Sequence, residues 1–399
     1  MLIIAVGMGL CLGAGLYWMI GKWMALYGVN RKKKSIRLLR GVGAVLAVGA
    51  CLKWYAAALV ELHLLALFAL TELAAFLLRR LARGRTGEKW YAVCRKAYRS
   101  GLVPVLAVCM VLGFGYWNME QIHATEYTVT SDKLDSGYDV VFLSDIHYGT
   151  IQNPGVLRRA VEEINALHPD VIVLGGDVVE EGTSKESMEE AFRVLGDLKS
   201  VYGTYYIYGN HDRQSYKVAS SRAYTEEELE EAITGNGIEI LCDCSVTLGE
   251  DLVLAGREDV GAAYGRVPVA DLLLGAERER FLLVADHQPV DVEENASEGV
   301  DLLLSGHTHA GQIFPAGYLI DLSGGMRYGL YRKGACRVIV SSGEAGWGFP
   351  IRTQGKCEYV VVHLRPGSDL SVLAAAVKAE DGRMHQRSAD GEKPSIRAA

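Results

Sequence analysis

The chain has 399 residues, more than one typical domain, so at least two folded units are expected. Half of the residues are hydrophobic and the mean hydropathy is +0.12, which argues against a wholly soluble protein. Residues 1–120 hold 16 Lys and Arg against 4 Asp and Glu, whereas residues 121–399 hold 25 against 44. The resulting net charge of −19 on the second part argues against a binder of long nucleic acids, whose affinity depends on basic contacts.

The first 120 residues predict four transmembrane helices. Residues 2–28 and 101–117 are apolar runs long enough for one span each, and residues 41–78 can form a two-helix hairpin that turns near Lys53–His63. A cleavable signal peptide is the alternative for the first run, but no basic segment precedes it. The residue pair Tyr116-Trp117 is typical of a membrane interface.

Basic residues predict the orientation of these spans. They flank the hairpin on both sides, at 31–40 and at 79–99, and the positive-inside rule places both groups in the cytoplasm. The N-terminus and everything after residue 120 are then expected outside. We therefore predict a multi-pass protein of the cell membrane with an extracytoplasmic second half.

Three ionisable residues interrupt the apolar hairpin. Glu61, His63 and Glu72 could indicate transport or a proton relay, because ionisable groups within a membrane are often functional. The interpretation we favour places Lys53, Glu61 and His63 at a water-exposed turn. It leaves Glu72 without a predicted role.

Beyond residue 120, five apolar runs each end in polar residues of the kinds that bind metals. In chain order the runs end at Asp145 and His147, at Asp177, at Asn210, His211 and Asp212, at His287, and at His307 and His309. Such runs are typical of strands that are buried on both faces. Because functional groups of open α/β sheets collect beyond the carboxyl ends of the strands, these residues predict one metal site.

The remaining pattern alternates between strands and helices. Helices are predicted at 154–167, 186–199, 226–234 and 270–274, and further strands at 126–130, 238–241, 252–255, 338–340 and 359–363. The runs at 238–241 and 252–255 are assigned to a second sheet. This alternation predicts an α/β fold with a sheet that is parallel in its core. The polar tail from Glu380 is predicted to be disordered.

The types of the ligands indicate the metal. Neutral imidazole suits zinc, iron and manganese, and carboxylates add charge compensation. An all-oxygen magnesium site would not be so rich in histidine. Two such ions about 3.5–4 Å apart form a clamp for in-line displacement at phosphorus.

The ordered blocks resemble those of the calcineurin-like metallophosphoesterases. They are Asp145-x-His147, Gly176-Asp177, Gly209-Asn-His-Asp212, His287 and Gly306-His-Thr-His309, and the resemblance covers about residues 138–364. Two longer motifs, Gly306-His-Thr-His-Ala-Gly-Gln312 and Gly346-Trp-Gly-Phe-Pro-Ile-Arg352, resemble a narrower branch. That branch contains bacterial membrane-attached phosphoesterases and transmembrane proteins with a metallophosphoesterase domain, and some of its members act on UDP-diacylglucosamine.

The resemblance implies a fold, domain bounds and a reaction. It implies an α/β sandwich of two mixed sheets flanked by helices at 121–365, after the all-α membrane region at 1–120 and before a C-terminal segment at 366–399. It also implies hydrolysis of a phosphomonoester or phosphodiester by a hydroxide generated at a binuclear centre of Mn, Fe or Zn.

Roles for individual residues follow from the same resemblance. The first ion would be bound by Asp145, His147 and His309, the second by Asn210, His287 and His307, with Asp177 bridging. His211 would not be a ligand. It would stabilise the phosphoryl oxygens or protonate the leaving group, with Asp212 orienting its ring.

Several residues leave alternatives open. Asp286 stands where the family branch usually has a small residue; it is expected to point into solvent, the alternative being a partner of the metal ligands. Glu180 and Arg352 could contact substrate, although a structural role is favoured for both. The eight cysteines form no CxxC pair. A disulfide among Cys242, Cys244, Cys336 and Cys357 would fit an oxidising compartment.

The leading hypothesis is a membrane-anchored phosphoesterase that acts on a phosphorylated small molecule or a lipid-linked or cell-envelope substrate. Its expected partners are the lipid bilayer and that substrate, and no nucleic acid. The alternatives are a nuclease or nucleotide phosphodiesterase with the same metal core, a non-catalytic metal-binding membrane sensor, and a transporter with an accessory domain. Neither the substrate nor the oligomeric state follows from the sequence.

Overall fold

The computed structural model describes residues 2–53, 55–82, 84 and 87–367. The chain divides into two compact units, Met1–Gly115 and Tyr116–Ala399. The predicted disordered tail from Glu380 lies outside the described residues.

The first unit is helical. Its helices are α1 (Leu2–Leu26), α2 (Lys34–Lys53), α3 (Tyr55–Leu81), α4 (Lys89–Ser100) and α5 (Val103–Met119), the last of which continues into the second unit. Helices α1, α2 and α3 pack together through a small apolar cluster centred on Leu16, Met19, Ala44 and Phe68. Most other apolar side chains of these helices face outward, as expected for a segment in contact with lipid.

The described helices support fewer membrane spans than predicted. Within the described part, Ala57–Leu81 of α3 is the single helix long and apolar enough to cross a membrane by itself. The pair α4 and α5, which is bent by 77°, is long and apolar enough only when taken together. The described residues thus contain one or two helices able to cross a membrane, which corrects the prediction of four. The reason is that α2 begins at Lys34 and carries Arg37 and Arg40, while α5 has 17 residues. The side chains of residues 2–8 in the first predicted span lie outside the described part.

The structure also places the ionisable residues of the predicted hairpin differently from the prediction. The predicted water-exposed turn is wrong for Glu61 and His63, because both lie within α3. The Cys51 thiol donates to Glu61 (3.2 Å), and His63 Nδ1 lies 2.7 Å from the Leu59 carbonyl oxygen. Glu72, which had no predicted role, accepts hydrogen bonds from Lys22 Nζ (2.6 Å) and the Tyr98 hydroxyl (2.7 Å).

The second unit contains two six-stranded sheets. Its strands are β1 (Ile122–Ser131), β2 (Tyr138–Leu143), β3 (Val171–Leu174), β4 (Thr204–Tyr206), β5 (Ile238–Ile240), β6 (Cys244–Leu248), β7 (Leu252–Gly256), β8 (Phe281–Ala285), β9 (Leu302–Ser305), β10 (Gly329–Lys333), β11 (Cys336–Val340) and β12 (Cys357–Pro366). The order in the first sheet is β1-β12-β2-β3-β4-β5, and in the second β10-β11-β9-β8-β7-β6. Both sheets are mixed. In the first sheet, β2 to β5 are parallel and β12 runs antiparallel to β2. In the second sheet, β7, β8, β9 and β11 are parallel, and the edge strands β6 and β10 are antiparallel to their neighbours.

The described part of the second unit also contains six α-helices. They are α6 (Pro154–Ala166), α7 (Lys185–Leu195), α8 (Glu226–Thr234), α9 (Val269–Leu272), α10 (Val292–Ser297) and α11 (Ala316–Leu322). Residues such as Phe142, Leu283 and Leu304 fill the space between the sheets, each contributing about 1.5–3 kcal/mol on full burial. The first sheet packs on α6, α7 and α8, and the second on α9 and α10. The predicted sandwich of two mixed sheets flanked by helices is confirmed.

One strand belongs to a different sheet than predicted. Ile238–Ile240 pairs in parallel with β4 as the edge of the first sheet, because α8 returns the chain there in a β-α-β unit. Leu252–Gly256 lies in the second sheet, as predicted. The eight cysteines are all free, so the alternative of a disulfide is not realised.

Candidate metal centre

The seven residues predicted as ligands lie on loops that leave the carboxyl ends of parallel strands. Asp145 and His147 follow β2, Asp177 follows β3, Asn210 follows β4, His287 follows β8, and His307 and His309 follow β9. All except His307 are buried. The two sheets thus bring their polar strand ends to one edge of the sandwich.

Six of these seven side chains, all except Asn210, form two adjacent groups. The ligand atoms of Asp145, His147 and His309 lie within 4.8 Å of one another, as do those of Asp177, His287 and His307. Asp177 Oδ2 is 3.1 Å from His287 Nε2 and 4.0 Å from His147 Nε2. One carboxylate oxygen therefore faces histidines of both groups, which is the position that a bridging ligand requires.

The backbone of the site is strained where the ligands attach. Left-handed φ values between 47° and 69° occur at Asp145, His147, Asp177, His307 and His309. Each such residue costs on the order of 1–3 kcal/mol and persists only where its surroundings impose it. Glycines allow the close approach: a Cβ on Gly209 would clash with the Asp177 carboxylate, and one on Gly306 with that of Asp145.

Hydrogen bonds orient the imidazoles. Nδ1 of His287 lies 2.8 Å from the Gly175 carbonyl oxygen, and Nδ1 of His309 lies 3.0 Å from that of Ala345. Donation from Nδ1 to a carbonyl leaves Nε2 unprotonated and free to bind a metal. Nδ1 of His147 forms no such hydrogen bond, but the carboxylate of Glu180 lies 3.2 Å from it, within ion-pair distance.

Several buried polar atoms of the site form no hydrogen bond within the described part of the chain, although one of them, Nε2 of His287, lies 3.1 Å from Asp177. They are Nε2 of His147, Nε2 of His287 and Oδ1 of Asn210. Leaving such atoms unsatisfied costs about 1–3 kcal/mol each, so a ligand is expected at them. Nitrogen and oxygen donors that converge from several loops fit a pair of divalent ions.

The protonation states agree with metal binding. Burial lowers the pKa of His309 to about 3 and also lowers the pKa of His307, so both imidazoles are neutral. Burial opposes ionisation of Asp177, but the charge of His287 holds the pKa of that carboxyl well below its usual range. The pKa of His287 itself is raised, because Asp177 and Asp145 outweigh its burial; a cation bound at this point reverses that preference.

His211 lies beside the two groups rather than within them. Its Nδ1 is 2.6 Å from Glu181 Oε2. Burial lowers the pKa of His211, but the hydrogen bond with Glu181 and the charge of Asp177 raise it above its ordinary value overall. The ring is therefore held by a carboxylate that favours its protonated form.

The predicted role of Asp212 in orienting His211 is wrong. The carboxylate of Asp212 accepts hydrogen bonds from the backbone N–H groups of Gly209 (2.6 Å), Asp177 (2.9 Å) and Val179 (3.2 Å). It is fully buried, which raises its pKa to about 6. Asp212 thus holds together the loops that carry Asp177 and Asn210, and the partner of the His211 ring is Glu181.

The loop with Glu181 is fixed by a residue that the sequence did not indicate. Gln214 is fully buried, and its Nε2 donates to the carbonyl oxygens of Glu180 (3.0 Å) and Thr183 (2.9 Å). The available signal for Glu181 was an acidic pair, Glu180-Glu181, directly after the apolar Val178-Val179. Gln214 gave no comparable signal.

Asp286 does not point into solvent as expected. It is completely buried and lies 2.9 Å from Arg266 and 3.4 Å from Arg257. Burial raises its pKa to about 6, although both arginines act in the opposite direction. The pairing with two cations accounts for a buried carboxylate next to the ligand His287.

Arg352 has the structural role that was favoured. It is buried and donates to the carbonyl oxygens of His309 (2.9 Å), Ser342 (2.8 Å) and Ala345 (2.6 Å). These bonds fix the backbone of the His309 loop against the segment 342–345.

An open cavity of about 550 Å³ lies above the site. Trp347 and Tyr216 line it together with His211, on which the Trp347 ring stacks at 5.6 Å and 25°. Half of the Trp347 side chain is exposed, as is most of Tyr216. Gln312 holds the Trp347 loop, since its Oε1 accepts from the Trp347 N–H (2.9 Å). The polar floor thus has an aromatic rim.

Two mixed sheets that gather carboxylates and histidines in two adjacent groups define a candidate metal-binding protein. Residues 138–311 match the model of the calcineurin-like phosphoesterases. The chain is 31% identical over 243 residues to a metallophosphoesterase of Helicobacter pylori strain J99, covering 60% of this chain and 63% of that protein. It is 30% identical over 303 residues to a transmembrane protein with metallophosphoesterase domain of Danio rerio, covering 71% of this chain and 67% of that protein.

The chain therefore belongs to the calcineurin-like metallophosphoesterase family. It spans 63% of the length of the Helicobacter pylori relative.

Proposed function

We propose that this protein is a membrane-anchored phosphoesterase with two metal ions, which hydrolyses a lipid-linked or cell-envelope phosphomonoester or phosphodiester outside the cytoplasm. The observation that carries the proposal is the connection between the site and the end of α5. Met119, the last residue of α5, is buried against Ala345 and Cys357, and its sulfur accepts from the Gly346 N–H (3.3 Å). Trp347, which follows Gly346 in the chain, lines the cavity above the metal ligands.

The metal ligands are assigned as the resemblance to the family implies, and the two groups support six of the seven residues. Asp145, His147 and His309 would bind one ion, Asn210, His287 and His307 the other, and Asp177 both. Mn, Fe or Zn suits this donor set. When bound, such a pair supplies a water of lowered pKa and neutralises charge on the phosphoryl oxygens.

The residues of the chain supply the proton and the orientation. Glu181 engages Nδ1 of His211, which leaves Nε2 for the oxygen of the leaving group. Because its pKa is raised, His211 is protonated over a wider pH range than an ordinary histidine and can donate that proton as the P–O bond breaks. Glu181 acts as a positioning residue.

The aromatic rim of the cavity favours a substrate that carries an apolar group as well as the phosphate. Trp347 and Tyr216 offer exposed aromatic surface next to the phosphate-binding floor, and such surface suits an apolar or planar group attached to the phosphate. Tyr116 and Trp117 near the end of α5 are exposed aromatic residues of the kind found at membrane interfaces. Both observations favour a substrate at the bilayer.

The alternative functions have less support. A nuclease would need basic contacts to phosphates, whereas residues 121–399 carry a net charge of −19. A non-catalytic sensor would have no need for the Glu181–His211 pair, which is kept beside the metal ligands.

A substrate comparison tests the proposal. The purified full chain, supplied in turn with Mn, Fe and Zn, is assayed on phosphatidic acid in mixed micelles, para-nitrophenyl phosphate, its bis ester and single-stranded DNA. We expect the highest kcat/KM on the lipid ester, and Trp347→Ala should raise KM for that substrate while leaving the nitrophenyl esters unaffected. A higher kcat/KM on DNA would replace the proposal with the nuclease, and loss of all turnover despite bound metal would favour the sensor.

A further inference from the structure

A second cavity, of about 160 Å³, lies within the helical unit between α3 and α4. That space holds several water molecules, enough for the oxygens of a phosphate group. Its walls come from one face of each helix: Ala75, Leu78 and Arg79 of α3, and Tyr91, Cys94, Arg95, Tyr98 and Arg99 of α4. Residues spaced by three and four positions share a helix face, so the two faces meet across the cavity.

The cavity has an apolar and aromatic floor and a basic rim. Leu78, Tyr91 and Tyr98 are partly buried, whereas Arg79, Arg95 and Arg99 are exposed. Three guanidinium groups around one small space repel one another, and a bound anion would relieve this repulsion. Guanidinium also matches phosphate oxygens with two parallel hydrogen bonds.

The three arginines of the rim have no carboxylate partner. Among the described residues, none of them forms an ion pair with Asp or Glu. Glu72, which is bonded to the wall residue Tyr98, accepts from Lys22 Nζ (2.6 Å) and from the Tyr98 hydroxyl (2.7 Å). Arg79 instead lies over the ring of Tyr98, 5.8 Å from its centroid. The charges of Arg95 and Arg99 are therefore available to a ligand, together with the part of the Arg79 charge that Glu72 does not offset.

The position of the cavity indicates where the ligand comes from. Arg79 lies in the last turn of α3, the helix that can cross a membrane by itself. No residue of α4 is buried, and Trp90 and Val93 are exposed along with its basic residues. Basic residues at the end of a membrane helix and on an amphipathic helix are typical of binding to anionic lipid head groups.

We propose that the cavity between α3 and α4 binds the phosphate group of an anionic phospholipid, with Arg79, Arg95 and Arg99 around the phosphate. The site is separate from the hydrolytic centre and binds lipid without turning it over. A free phosphate ion offers the same chemistry, so the test includes both.

The test compares two double variants of equal charge. Arg95→Gln/Arg99→Gln removes two rim arginines, whereas Arg80→Gln/Lys96→Gln removes two exposed basic residues of the same helices that do not line the cavity. The full chain in detergent is titrated with phosphatidylglycerol, with phosphatidylcholine and with inorganic phosphate, and bound lipid is measured by native mass spectrometry and bound phosphate by calorimetry. Hydrolysis of para-nitrophenyl phosphate shows that each variant is folded.

We expect the rim variant to lose about tenfold or more in affinity for phosphatidylglycerol, and the control variant less than about twofold. Phosphatidylcholine should bind weakly to both. If inorganic phosphate shows the same dependence on the rim and competes with the lipid, the site recognises the phosphate group alone. Equal losses in the two variants, no loss in either, or equal binding of phosphatidylcholine and phosphatidylglycerol would overturn the proposal.

Discussion

Glu181 and His211 are the residues through which the site would handle a proton. The imidazole is fixed at Nδ1 by the carboxylate, 2.6 Å away, and it lines the cavity beside the two metal groups. Neither residue belongs to those groups, so metal binding and proton transfer can be separated by substitution.

Replacing His211 by alanine should keep both metal ions but slow the reaction. The loss of a proton donor is expected to lower kcat by about 10²–10⁴-fold, roughly 3–5 kcal/mol of barrier. The effect should be largest for an alkoxide leaving group and much smaller for nitrophenolate, which departs without protonation. His309→Ala should instead lose an ion and fail with both substrates. An equal loss of kcat on both leaving groups in His211→Ala would show that the residue only positions the phosphate.

Replacing Glu181 by glutamine should shift the pH dependence of the reaction. Glu181 raises the pKa of His211, so its removal lowers that pKa and the protonated ring is lost at a lower pH. The basic limb of the kcat profile, measured with an alkoxide leaving group, should therefore move to lower pH. Glu189→Gln, an exposed change on α7, is the control. An unmoved limb in Glu181→Gln would mean that another group sets the protonation of His211.

At the scale of single residues, the sequence indicated which candidate ligands come together, but it did not indicate all of their hydrogen-bond and ion-pair partners. The ligand candidates followed apolar runs, and a strand end is visible in a sequence because apolar periodicity stops there. The partner of His211 could not be predicted, because Glu181 and Asp212 are both acidic and only the loop geometry decides between them. Asp286 was misplaced for a related reason: its counter-charges, Arg257 and Arg266, are distant in sequence.

At the scale of elements, the segment 342–352 connects the end of α5 to the catalytic loops. Arg352 binds the carbonyl oxygens of His309 and Ala345, and Asn118 Nδ2 donates to the carbonyl oxygens of Arg352 (3.1 Å) and Gly355 (3.0 Å). A substitution at residue 118 or 119 should therefore alter the position of the residues that line the cavity.

Truncation of Met119 tests this connection. Met119 is 2% exposed, and its replacement by alanine leaves a cavity beside Ala345 that should cost about 2–5 kcal/mol. We expect a lower unfolding temperature of the full chain and a higher KM for the lipid ester. Met110→Ala, on the same helix but 69% exposed, should change neither. Equal effects of the two substitutions would argue against a specific role of the α5 end.

The elements that the sequence predicted well are the buried parallel strands. β3 and β8 are continuous apolar runs, as are residues 140–143 of β2 and 302–304 of β9, which is expected for strands covered on both faces. β5 is three residues long, so its sheet could only be decided by its pairing partner. The membrane region was overpredicted because the sequence did not show that α2 begins at Lys34 and ends at Lys53, so that its basic first turns leave only 13 residues after Arg40.

At the scale of the whole molecule, the proposed topology makes a prediction about access. Cysteines introduced singly beyond residue 124, in a background without the native thiols, should react with an impermeant reagent added to intact cells. Those introduced at 87–98 should not react, because basic segments are retained on the cytoplasmic side. Labelling of 87–98 from outside would contradict the orientation, and no labelling beyond 124 would place the catalytic domain in the cytoplasm.

The binuclear metal centre is tested most directly by the metal content and turnover of Asp177→Asn. Asp177 faces histidines of both groups, at 3.1 Å and 4.0 Å, so its charge would serve both ions. Elemental analysis of the purified full chain should find close to two transition-metal ions per wild-type molecule. The variant should bind metal more weakly, and its turnover should fall together with its metal content. Full metal content and full activity in Asp177→Asn would contradict the binuclear assignment.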